Sequence, residues 1–249
     1  MTFYDEIAEQ YEDITHQQAR QASADALGQK LVGESGIRSA VDAACGTGLF
    51  TFALAREGAQ VVGADLSESM LDKARAAAGP LAGNVRWVRS PMQSLGEKLA
   101  GPFDAVLCMG NSLPHLLSDD ELDETLAGFA ALLPSGGLVV LHLLNYTRVI
   151  KQRERIVGID RNETREFVRF YDFADEMVRF NVLEIDWSTT PPSHEIHSTM
   201  LYPWRQAELA DALAAAGFEC LRSFADLSLS EPFDEMDSDV LVMTAGRAG

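Results

Sequence analysis

Basic residues and cysteines are scarce in this sequence, and long apolar runs are missing. Twenty Lys and Arg stand against 38 Asp and Glu, a formal charge of -18 at pH 7. A surface of that sign repels a phosphate backbone, which argues against DNA, RNA or an anionic membrane as the main partner. The arginine-bearing segments 151–155 and 161–169 are interleaved with Glu and Asp, so they read as solvated surface rather than as a basic groove. Cys45, Cys108 and Cys220 are far apart, odd in number and without CxxC spacing. Neither a disulfide framework nor a metal site is expected, and a reducing, cytoplasmic setting fits. No apolar run approaches the roughly 18 to 20 residues that span a bilayer. The first residues lack the basic-then-apolar pattern of a secretory signal, so none is expected. What is present is an ordinary globular composition, 47% hydrophobic and 23% charged over 249 residues. That length suits one α/β domain with an insertion.

The stretch Val41-Asp42-Ala43-Ala44-Cys45-Gly46-Thr47-Gly48 organises the rest. An apolar strand, Ile37 to Val41, runs into it, and Leu49, Phe50, Phe52, Ala53 and Leu54 begin an apolar helix face after it. Glycines at such a turn let backbone approach a ligand without a Cβ clash, and the new helix offers unpaired N–H groups. A ligand-free βα loop would look the same. The second strand, Gln60 to Asp65, ends on an acid about 20 residues beyond the first glycine of the turn, the spacing at which a carboxylate meets a ribose diol. Ser67 is the natural N-cap of the next helix, which leaves Asp65 for a ligand.

Along the chain, Tyr4 to Gly33 reads as helical and able to cover a cleft, with Tyr4, Tyr11 and Arg20 as polar-tipped residues. Third and fourth strands follow at Asn84 to Val88 and Phe103 to Cys108. A helix spans about Asp119 to Leu133, and the continuous apolar run Leu138 to Leu144 suits a strand buried on both faces. Strands alternating with helices imply an α/β, doubly wound parallel sheet whose ligands lie beyond the strands' carboxyl ends. Residues 163–171, 176–187 and 194–202 alternate and read as a three-stranded antiparallel β insertion. A helix from Gln206 to Ala216 and two strands near 218–224 and 239–245 complete a seven-stranded sheet. The expected divisions are therefore a core over 1–149, the insertion over 150–202 and the rest of the core over 203–249.

These elements, with Val41 to Gly48, Gly63 to Ser67 and Phe103 to Leu116 as the sharp matches, resemble the class I S-adenosylmethionine-dependent methyltransferases and their Rossmann-like sheet. The dehydrogenase pattern Gly-x-Gly-x-x-Gly is the rival, but its third glycine falls on Thr51. Phe103 to Leu116 and His142 to Tyr146 are similar to the corresponding stretches of glycine and sarcosine N-methyltransferases. That resemblance implies S-adenosylmethionine as cofactor, held by Arg20, Asp42, Ala44, Gly46, Gly48, Asp65, Leu66, Met92, Gln93, Met109 and Gly110. Arg20 would pair with the cofactor's carboxylate, and Asn111 would lie beside the sulfonium methyl and the acceptor amine. Two positions depart from the resemblance. The arginine that holds the substrate carboxylate in those enzymes is Leu144 here, and the acid after strand three is Pro91.

Methyl transfer asks mainly for in-line placement and exclusion of water. An amine must only arrive deprotonated, whereas an alcohol, phenol or carbon acid wants a base. His115 and His142 are the base candidates, with His142 also readable as a structural histidine, and Tyr11 could supply a hydroxyl. The expected function is methylation of a small polar molecule, at nitrogen in the first instance. The alternatives are O- or C-methylation, a non-catalytic cofactor-binding scaffold acting through the insertion, or a nicotinamide oxidoreductase. A small-molecule acceptor is the expected partner; the sequence leaves the oligomeric state open, a dimer included.

Overall fold

A computed structural model describes residues 3–7 and 17–249. The N-terminal segment gives a short helix α1 (Phe3–Glu6) and a helix α2 (Gln17–Gly28) that continues into a π-helical turn, Gln29–Glu34. β1 (Ser39–Ala43), α3 (Leu49–Arg56), β2 (Gln60–Asp65), α4 (Glu68–Ala77) and β3 (Val85–Arg89) then alternate. They are followed by α5 (Leu95–Lys98), β4 (Ala105–Cys108), α6 (Asp119–Leu132) and β5 (Leu138–Leu144). Acidic residues crowd the first turn of α6, where Ser118 caps the N-terminus by accepting the Glu121 N–H. Both features favour that helix end.

α7 (Tyr146–Gln152) leads into β6 (Ile156–Arg161), β7 (Arg165–Ala174), β8 (Met177–Asp186) and β9 (Ser193–Leu201). The chain closes with α8 (Gln206–Ala215), β10 (Phe218–Phe224) and β11 (Val240–Arg247). Seven strands form one sheet in the order β10-β11-β5-β4-β1-β2-β3, parallel except where β11 pairs antiparallel with β5 and β10. The doubly wound sheet expected from the alternation is therefore present, with an antiparallel edge.

Alternate residues of the central strands enter two cores. Val41, Ala43, Val106 and Leu141 face α6 and α8 with Phe129, Leu126 and Leu209. Ala40, Val61, Leu107 and Val140 face α2 and α3 with Leu27, Leu31 and Phe50. Burial on both faces explains why the strands read as unbroken apolar runs; each large side chain so buried contributes roughly 1.5–3 kcal/mol.

The insertion is a separate four-stranded antiparallel sheet, β6-β7-β8-β9. The sequence predicts three strands there, and β6 is the one it misses. Ile156 and Ile159 on β6 are both exposed, so this edge strand carries no inward apolar alternation to betray it. The sheet packs on the rest through Tyr171, Val178 and Leu201, which join the α6 core, and through Phe167 and Val182, which meet Ile7. It thereby stands over the carboxyl ends of β4 and β5.

Candidate active site

The turn after β1 is held in a left-handed conformation at three positions: Ala44, Gly46 and Gly48 have φ of 58°, 56° and 92°. Alanine tolerates that geometry less well than glycine, so Ala44 adopts it only because its surroundings fix it. One fixing group is Asp65. Its Oδ2 accepts the Gly46 N–H at 2.8 Å, and its Oδ1 accepts the Ser67 N–H at 2.9 Å. Ser67 caps α4 as expected, accepting the Met70 N–H at 3.2 Å. Asp65 is nevertheless not left for a ligand alone, because both of its oxygens already anchor backbone. Each retains accepting capacity toward a hydroxyl. Burial raises its pKa, and the N–H groups of Ser67 and Gly46 oppose that rise.

A cavity of about 250 Å³ opens above Asp65, walled by Ala44, Gly46, Leu66, Met70, Met92 and Gln93. A smaller recess of about 30 Å³ shares Ala44, Gly46 and Ser112 with it and adds Arg20, Met109 and Gly110. The Arg20 guanidinium lies 5.9 Å from the Phe50 ring centroid, and among the described residues no carboxylate pairs with it. A Cβ on Gly110 would stand 3.4 Å from Arg20 Nη2, so glycine keeps this recess open. A carboxylate below a diol-sized space, an apolar shelf of methionines and an arginine at the far end fit the ribose, base and amino-acid carboxylate of an S-adenosyl cofactor.

Two residues expected to touch a cofactor are placed mainly behind the turn. Gly48 lines none of the cavities described here; a Cβ there would meet the Phe52 ring at 2.8 Å and Trp87 at 3.1 Å, so its role is packing. Asp42 only edges the small recess. Its Oδ2 accepts the Thr51 hydroxyl at 2.6 Å, while Oδ1 is buried without a hydrogen-bond partner. Burial pushes its pKa up to about 7.

A third cavity, about 570 Å³, lies between the ends of β4 and β5 and the insertion. Gly110 and Asn111 form its floor, both with positive φ (71° and 68°). Both polar atoms of the Asn111 side chain hold structure together: Nδ2 donates to the Tyr146 hydroxyl, and Oδ1 accepts the Leu144 N–H, both at 3.0 Å. His142 Nδ1 accepts the Gly110 N–H at 3.1 Å. That bond requires a neutral ring with its proton on Nε2. Burial, with Arg20 nearby, lowers the His142 pKa to about 3, so the structural reading of this histidine fits and a base does not.

His115 stands on the walls of both large cavities, as does Tyr4. Tyr4 Oη lies 2.7 Å from His115 Nε2, and burial lowers the His115 pKa to about 4. α1 is further tied down by Asp5, which accepts the Ser67 and Ser69 hydroxyls at 2.5 and 2.9 Å, and by Glu6, 3.0 Å from His197 on β9. Tyr11 lies outside the described residues. Arg169, Tyr171 and Phe180, which line the third cavity, carry no motif by which the sequence could mark them; only the insertion's fold brings them there.

Residues 40–137 match the family model described as a methyltransferase domain. A glycine/sarcosine N-methyltransferase of Aphanothece halophytica is 25% identical over 246 residues, covering 97% of this chain and 88% of that protein. A glycine/sarcosine/dimethylglycine N-methyltransferase of Actinopolyspora halophila is 28% identical over 219 residues, 86% of this chain but only 36% of that longer protein. The crystal structure of an S-adenosylmethionine-dependent methyltransferase from Clostridium acetobutylicum superposes with a TM-score of 0.81 over 100% of both chains at 15% identity. With the Asp65 cleft and the sheet order, these likenesses identify the chain as having a class I S-adenosylmethionine-dependent methyltransferase fold, homologous to the glycine/sarcosine-type small-molecule N-methyltransferases.

Proposed function

We propose that the protein transfers a methyl group from S-adenosylmethionine to the nitrogen of a small molecule, in the cytoplasm. One observation carries this reading: the Asp65 cleft and the 570 Å³ cavity share a wall, formed by Phe3, Tyr4 and His115. A donor in one chamber and an acceptor in the other would meet at that wall.

Asp65 would accept the ribose hydroxyls, Met92 and Gln93 would flank the base with Leu66 and Met70, and Arg20 would hold the carboxylate. A cofactor held by these residues would supply an electrophilic sulfonium methyl for an amine lone pair, its sulfur leaving as the neutral thioether. Asn111 acts as a positioning residue. Its bonds to Tyr146 and to the backbone of Leu144 lock the end of β4 against β5 and fix the floor on which the acceptor rests. Tyr4 and α1 exclude water from the junction. The methylated product leaves as an ammonium and gives up its proton to solvent; His115, held neutral by burial and hydrogen-bonded to Tyr4 Oη, positions that tyrosine on the wall between the chambers. The three cysteines are unpaired with one another and two are buried, which fits a reducing compartment.

Calorimetry with S-adenosylhomocysteine tests the cofactor half, with binding at one site per chain expected. Radiolabelled methyl transfer to a panel of amines, carboxylates and phenols tests the acceptor half. Label passing to carboxylates or phenols and to no amine would overturn the nitrogen assignment. Tight cofactor binding with no transfer to any acceptor would reduce the protein to a cofactor-binding module.

A further inference from the structure

We infer that the acceptor is an amine with an apolar body and no carboxylate, selected by the 570 Å³ cavity beneath the insertion. The inference rests on the methyl-transfer reading above and adds the chemistry of the acceptor. Size comes first: a cavity of about 570 Å³ falls within the range of small-molecule sites generally and far exceeds what a compact amino acid fills. Its walls are mainly apolar and come from four directions: Ile7 from the N-terminal segment, Leu144 from β5, Phe180 and Leu201 from the insertion, and Val240 from β11. Burying a ring or branched chain against them is favourable, whereas a bare ammonium with a short polar body leaves them wet.

Charge decides the second half. The cations on this wall are Arg20 and Arg169, and neither is placed for an acceptor carboxylate. Arg20 also lines the recess assigned to the cofactor's carboxylate. Arg169 Nη2 donates to Asp160 at 2.7 Å, and both side chains of this pair are less than one-fifth exposed, so its charge is already compensated. His115 and His142 are neutral at pH 7, burial lowering their pKa to about 4 and about 3. No lysine or arginine occurs among residues 1–19, so the residues outside the described set add no further one. Among the described residues the acid on the wall is Asp226. Burial acts against its ionisation, but the Ser228 hydroxyl and the N–H groups of Glu231 and Ser230 outweigh it and hold the pKa at about 2. The cavity therefore presents apolar walls and an anion, which suit an amine's approach and repel a carboxylate.

Three probes separate the two requirements: 2-phenylethylamine, phenylalanine, which adds a carboxylate to it, and methylamine, which removes its apolar body. Their binding is read by saturation-transfer NMR competition on the full chain, which needs no turnover, and methyl transfer is then measured on the same compounds. The expected order places 2-phenylethylamine at least tenfold ahead of both others. In Leu144→Arg, which sets a cation on the cavity wall, the preference over phenylalanine should shrink or reverse. Phenylalanine or methylamine equal to or better than 2-phenylethylamine in the native chain overturns the inference whatever the variant does, as does absence of binding by all three. Loss of S-adenosylhomocysteine binding with the expected amine order intact would instead contradict the methyl-transfer reading and leave the cavity's selectivity standing.

Discussion

Two carboxylates beside one turn behave differently because different groups face them. Asp65 accepts two backbone N–H groups and looks into a cavity, while Asp42 accepts one hydroxyl and buries its other oxygen unsatisfied. Burial raises the Asp42 pKa to about 7 from an ordinary value of 3.8. Between those values the folded state holds a proton that the unfolded chain has lost, so stability falls as pH rises through roughly 4 to 7. Urea unfolding of Asp42→Asn at pH 4.5 and pH 8 should therefore show the variant gaining on the native chain by up to ~3 kcal/mol at the higher pH. A constant difference would contradict this. His115 has the opposite sign. Its lowered pKa, about 4, means the unfolded chain binds the extra proton, so its contribution is complete above roughly pH 6.5 and is lost as pH falls toward 4. Because His115 is already neutral across pH 5 to 8, the amine's own proton should govern the acid limb. kcat/KM for 2-phenylethylamine should climb about tenfold per pH unit from 6 to 8; a plateau above pH 7 would contradict it. At this scale the sequence exposes Asp65, Gly46 and Gly110 because strand, turn and acid lie within one βαβ unit. It hides the engagement of the Asn111 side chain with Tyr146 and Leu144, since those bonds join residues more than 30 positions apart.

Elements were legible in proportion to how completely they are buried. β1, β4 and β5 sit between two cores and read as apolar runs, whereas β6 is an edge strand with its isoleucines in solvent and leaves no periodic trace. α1 falls within the segment expected to be helical, and its residues are placed by polar contacts to β9 and to the start of α4 as well as by Phe3 and Tyr4 packing on the insertion's apolar cluster. Close approach of elements is equally silent in sequence. Where α5 crosses α6, a Cβ on Gly96 would stand 2.7 Å from the Gly128 Cα and 3.0 Å from its carbonyl oxygen. Backbone cannot yield there as a side-chain tip can, so Gly96→Ala should cost ~1–3 kcal/mol in chemical denaturation. Affinity for S-adenosylhomocysteine should stay within twofold, because the crossing lines no part of the cleft. A stability unchanged by the alanine would show that the helices separate freely.

Over the whole molecule, a chain of net charge -18 keeps two arginines on the walls of its central cavities: Arg169, compensated by Asp160, and Arg20, with which no acid pairs among the described residues. Arg20 comes from the N-terminal helical segment, Asp65 from the sheet and the acceptor walls largely from the insertion. The cofactor cleft is thus complete only when all three are assembled. Among the described residues no helix is long and apolar enough to cross a membrane. The central claim is that this assembled cleft binds an S-adenosyl cofactor through Asp65 and Arg20. Arg20→Met tests it cleanly, since among the described residues no acid pairs with that arginine and its removal breaks no ion pair there. Isothermal titration with S-adenosylhomocysteine should give one site per chain in the native protein. The loss of one charge-assisted pair, ~1.5–3 kcal/mol, should weaken that site at least tenfold in Arg20→Met with the unfolding midpoint of the free protein unchanged. No binding to the native chain, or equal affinity in the two proteins, would contradict the account.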